Sequence, residues 1–108
     1  MTSRRVFTTQ QADEDIDTAI GHYLHQGATE AAMNLIDVLE ESKVLLSEHP
    51  FLGSTRFAIE TNIPELRALS LPRFPYLIFY TAQGDTRHIH RVLHTAQDLP
   101  ARFSDEEF

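Results

Sequence analysis

The chain has 108 residues, 42% of them hydrophobic, with a formal net charge of −7 and no cysteine. That length supports one domain around a single core and is too short for two, and the hydrophobic share excludes wholesale disorder. Without thiols there are no disulfides or thiolate metal sites, and the acidic balance argues against nucleic-acid binding through bulk electrostatics.

No apolar run approaches the roughly 18 residues of a membrane-spanning helix, and Met1 to Gln11 is polar. The reading is therefore no signal peptide, no membrane partner and a cytoplasmic protein. Charge is unevenly spread: residues 1–64 carry four Lys or Arg against ten Asp or Glu, and residues 65–103 carry five against three. Lys43 is the only lysine.

Arg4 to Thr8 is short and β-prone, which predicts an edge strand at about 4–8. Thr9 offers an N-cap, and Asp13, Glu14 and Asp15 bring negative charge to the first turns of a helix over about 9–26. The run from Asp13 to Asp17 reads as a solvated helix start. Ala12, Ile16, Ala19, Ile20, Tyr23 and Leu24 recur at helical spacing, and Gly27 is a stop. A second helix over about 29–48 has Thr29 as its cap. Ala32, Leu35, Ile36, Leu39, Ser42 and Leu46 form one face, and Met33, Val38 and Leu45 widen it, so burial on more than one side is expected. Pro50 ends this helix, and the short link between the two helices makes them an antiparallel hairpin.

Phe51 to Pro64 reads as irregular, with a turn at Gly53 and Phe57 and Ile59 tucked beneath it. Period-two alternation then predicts strands at about 65–71, 76–82 and 86–94. The Gln83-Gly84-Asp85 turn joins the last two. On the last strand, alternation sets Arg87, Ile89, Arg91 and Leu93 on one face and His88, His90, Val92 and His94 on the other. The fold class is α+β in the order β-α-α-β-β-β, a helical hairpin on one face of a small, mostly antiparallel sheet. Residues 1–103 form the single domain, and 104–108 are a frayed acidic tail. The other sheet face is left uncovered, and Tyr76, Phe79 and Tyr80 exposed there would make a binding surface.

Several stretches together resemble the ParE/RelE toxin superfamily of type II toxin–antitoxin modules, ParE more than RelE. They are the Ala12, Asp15-Ile16, Ile20, Tyr23 helix and Pro50-Phe51-Leu52-Gly53, then Leu66-Arg67 and Arg73-Phe74-Pro75-Tyr76-Leu77-Ile78-Phe79-Tyr80. Arg91-Val92-Leu93-His94 running into Asp98-Leu99 completes the set, so the resemblance covers about residues 4–100. It implies a growth-inhibiting toxin neutralised by a cognate antitoxin, a ParD-like ribbon-helix-helix protein whose tail wraps the toxin at Tyr76, Phe79 and Tyr80. ParE-like members are associated with DNA gyrase, and RelE-like members with ribosome-dependent mRNA cleavage. The chain departs from the family in its acidity and at Gln97, where members often carry arginine.

The side chains bear on that choice. Cleaving mRNA needs cations on the phosphate and a group that moves the 2′-hydroxyl proton. Arg67, Arg73, Arg91 and His94 would gather at one end of the sheet as the target-binding set. Among them His94 alone has an acid–base range suited to catalysis, since arginine keeps its proton. Bland roles stand beside these. Arg73 can brace its turn, Arg91 can pair with Glu65 or Asp98, and His94 can be hydrogen-bonded within the fold. His88 and His90 have chelating spacing but no placed third ligand, so no metal and no cofactor are expected. The reading is a non-catalytic, gyrase-directed toxin with no sequence-specific nucleic-acid binding of its own. An mRNA-cleaving toxin and a degenerate, non-toxic binding module are the alternatives.

Overall fold

The computed structural model describes residues 5–96. Strand β1 (Arg5–Thr8) leads directly into helix α1 (Gln10–His25). The Thr9 hydroxyl performs the handover: it accepts the Ala12 N–H at 3.0 Å and donates to the His90 carbonyl at 2.9 Å. One side chain thereby caps the helix and ties its start to the last strand. At the other end Gly27, at φ +74°, allows a left-handed turn. There Gly27 N–H bonds Leu24 O and Ala28 N–H bonds Tyr23 O, the double bond pattern of a Schellman cap.

Helix α2 (Thr29–Glu48) starts at once. Thr29 is already helical, and the cap position falls to Ala28, which has no side-chain bond to offer, so the expected Thr29 cap is not made. Ala32, Leu35, Val38, Leu39, Ser42 and Leu46 are buried. Met33, Ile36 and Leu45 are exposed, so α2 is covered on one side and not on several.

The stretch read as irregular contains a short helix, α3 (Ala58–Thr61), closed by Asn62 in the left-handed region. Gly53 is required before it: a Cβ there would lie 2.3 Å from the Ala68 carbonyl oxygen. This close approach lets Ser54 bridge to Ala68. Strands β2 (Arg67–Ser70), β3 (Tyr76–Gln83) and β4 (Thr86–His94) follow, and the sheet order is β1-β4-β3-β2 with β1 parallel to β4 and the other pairs antiparallel.

Each sheet face has its own core. Tyr76, Ile78, Tyr80, Ile89 and Val92 join Ala12, Ala19, Leu35 and Leu39 of the hairpin. On the opposite face Leu77, Phe79, Leu93 and Ala68 meet Phe57 and Leu66. The expectation of a bare outer face is therefore corrected, because Phe57, anchored just before α3, sets its ring edge-on to Phe79 at 5.3 Å. Ile59, expected beneath the segment, points out of it and is 91% exposed.

A bulge explains the pattern of β4. Phe79 pairs with Arg91 and Tyr80 with Ile89, leaving His90 as the extra residue. Alternation shifts by one there, which is how Ile89 and Val92, three apart, reach the same core. The uninterrupted alternation read from the sequence fails at this point. The tail 104–108, Asp98-Leu99 and the departure at Gln97 lie outside the described residues.

Candidate functional site

Strand β4 buries two arginines by different means. Arg91 is 4% exposed and forms a two-point ion pair with Asp15 of α1: Nε donates to Oδ2 at 2.7 Å and Nη2 to Oδ1 at 2.9 Å. The same Oδ2 accepts the Val92 backbone N–H at 3.0 Å. β1 has ended by this level, so the Asp15 carboxylate serves a β4 N–H that no neighbouring strand reaches. Among the described residues the carboxylate on Arg91 is Asp15 and not Glu65, while Asp98 lies outside them, and Asp15 is not a solvated helix-start residue. Arg87, which is fully buried, faces carbonyls instead. Its Nε donates to Leu46 O at 2.8 Å and its Nη1 to Gly84 O at 3.0 Å.

His90, between them, is neutral. Burial, and then the neighbouring His88, pull its pKa down from 6.5 to about 4. Its Nε2 lies 2.9 Å from the Thr81 hydroxyl, while His88 stacks on Phe7 at 5.7 Å. Among the described residues no group of His, Cys, Asp or Glu side chains is arranged to hold a metal.

The expected target-binding set does not converge. Arg67 opens β2 opposite Tyr80, where its Nη1 donates to Phe51 O at 2.9 Å and its guanidinium lies 5.2 Å from the Phe51 ring centre. His94 ends β4 opposite Tyr76, four residues and so roughly 13 Å along β3 from the Arg67 level. Arg73 is exposed in the β2–β3 turn at the His94 end, and its φ of +68° places it in the left-handed region. Arg91 is consumed by Asp15. Only Arg73 and His94 share an end of the sheet.

His94 sits edge-on to Tyr76 at 5.2 Å, and its Nδ1 accepts the Ala96 N–H at 3.0 Å. That bond leaves the ring proton of neutral His94 on Nε2. The imidazole borders a cleft of about 220 Å³ between α1 and the sheet, lined also by Asp15, Thr18, His22, Tyr76 and Val92. His22 was not singled out in the sequence, although its place three residues past Ala19 puts it beside the buried stripe of α1.

The three aromatics expected on an open face are buried: Tyr76 is 7% exposed, Phe79 and Tyr80 0%. The single Tyr80 hydroxyl proton is shared between Leu52 O at 2.7 Å and Pro50 O at 3.0 Å, so it clamps the chain where α2 ends. Burial raises the pKa of both tyrosines. They are core residues and not exposed aromatics, with Tyr76 alone reaching the cleft beside His94.

The fold is similar to that of a solved chain from the chromosomal ParDE TA system of P. aeruginosa. The two are 23% identical with a TM-score of 0.69, over 85% of this chain and 96% of that one. At that identity the likeness speaks for the fold. The family model described as the ParE toxin of the type II toxin–antitoxin system, parDE, matches residues 6–99. The chain belongs to this family and is a ParE-type toxin. No curated protein matches it.

Proposed function

We propose that this toxin arrests growth by binding DNA gyrase in the cytoplasm, without catalysis of its own, and that a cognate ParD-like ribbon-helix-helix antitoxin neutralises it. The observation that carries the non-catalytic reading is the Arg91–Asp15 ion pair. An RNA-cleaving site needs cations free to follow a phosphate into its transition state. Here Arg91 is committed to a carboxylate and Arg67 stands at the far end of β2 from His94. Of the expected set, only His94 and the exposed Arg73 remain at one end, a meagre pair for moving a proton and stabilising a pentacoordinate phosphorus. Arg73, exposed at its turn, is the member of the expected set best placed to touch a target.

The test pairs a supercoiling assay on purified gyrase with a cleavage assay on ribosome-bound mRNA. Inhibited supercoiling and intact mRNA are expected, with His94→Ala as inhibitory as the wild type. Cleaved mRNA that disappears in His94→Ala, with stability unchanged, would transfer the assignment to a ribonuclease.

A further inference from the structure

The solvent side of α2 has a composition that the fold itself does not use. Met33, Ile36, Val44 and Leu45 are 61%, 41%, 57% and 46% exposed. The core side of the same helix is already supplied by Ala32, Leu35, Val38, Leu39 and Leu46, and none of these four apolar side chains belongs to either core cluster. Met33 and Val44 lie eleven positions apart. At 100° and 1.5 Å per residue they fall within about 20° of one another around the helix and about 16 Å apart along it. Asp37, Glu40 and Glu41 stand between them, all exposed. Lys43 answers Glu40 at 3.2 Å and is the only lysine or arginine on either long helix.

We propose that this face docks a basic, apolar-bearing segment of the toxin's protein target, with apolar groups seated at Met33 and Val44 and cations between them at Asp37 and Glu41. The proposal rests on the reading of gyrase as target and adds the surface that meets it. Charge complementarity selects the occupant. A second copy of the chain would set acid against acid, and an anionic lipid surface would be repelled in the same way. A DNA-handling protein offers basic segments, and an acidic, apolar-tipped helix fits them.

The experiment measures binding of the full chain to immobilised DNA gyrase. Two double variants are compared with the wild type: Met33→Ser with Val44→Ser, and Asp37→Lys with Glu41→Lys. All four positions are exposed on a helix, so helical circular dichroism and the urea midpoint are expected to stay at wild-type values. Each double variant should bind at least about tenfold more weakly, the charge reversal mainly through a slower, less salt-sensitive association. Met33→Leu with Val44→Ile should retain affinity, which separates lost contact from lost fold. Wild-type binding that both double variants reproduce overturns this inference and leaves the gyrase reading standing. A wild type that does not bind gyrase overturns the reading and the inference with it. Variants that keep gyrase but lose the antitoxin give the face to the antitoxin. Variants that merely abolish a dimer in sedimentation give it to a second copy, and either result overturns the proposal.

Discussion

The two ends of β4 bury the same side chain under different rules. At the C-terminal end Arg91 is neutralised by Asp15 with two parallel hydrogen bonds. At the N-terminal end Arg87 has carbonyls alone, with Nη2 buried and unbonded among the described residues. A guanidinium facing a carboxylate concentrates its dependence on that partner. A guanidinium facing several carbonyls spreads its dependence across the end of α2 and the β3–β4 turn. The first arrangement is a lock between distant parts of the chain, and the second is a brace.

Breaking the lock should have the largest effect. Asp15→Ala takes the two-point carboxylate partner from a buried cation and strips the Val92 N–H, and should cost about 3–5 kcal/mol of unfolding free energy. Equilibrium urea denaturation checks it; a loss within about 1 kcal/mol would show that Arg91 finds water or another partner. Arg87→Met removes the charge together with its desolvation. Leu46 O and Gly84 O then lose a donor, and the expected cost is about 1–3 kcal/mol by the same measurement. The comparison fails if the second loss exceeds the first. Thr9→Ala, which cuts the tie from α1 to β4 midway between the arginines, should cost about 1 kcal/mol.

His90 sharpens the contrast, since it meets burial by shedding its charge where the arginines cannot. Unfolded, it takes up a proton near 6.5; folded, only near about 4. Its contribution to stability is thus complete above about pH 6.5 and is lost as pH falls toward about 4. His90→Gln should flatten the dependence of the urea midpoint on pH in that window. An unchanged slope would mean that His90 is protonated in the fold at an ordinary pKa.

The exposed face of α2 and the covered outer face of the sheet exchange the roles expected of them. Apolar residues spaced around α2 predict burial on several sides, and the order of elements offers the sheet no second cover. Segment 55–66 supplied that cover through Phe57 and Leu66, with no regular periodicity to announce it. A single buried ring in a loop leaves no pattern in sequence, whereas a helix with surplus apolar residues leaves one that reads as core.

Apart from the short helix α3, element type and order were determined by the sequence alone. Periods of 3.6 and 2.0, Thr9, Gly27, Pro50 and Gly84 are local causes, and their effects appear within a few residues of where they act. The ParE resemblance was legible for the same reason, being carried by contiguous runs. Only the tertiary structure decided that Asp15 belongs to Arg91, that His90 is the bulged residue, and that Arg67 and His94 stand four residues apart along β3. Asp15 and Arg91 are 76 positions apart, and no local propensity encodes such a meeting. Which carboxylate a buried arginine finds depends on how α1 leaves β1 beside β4, and that angle exists only once both faces of the sheet are packed.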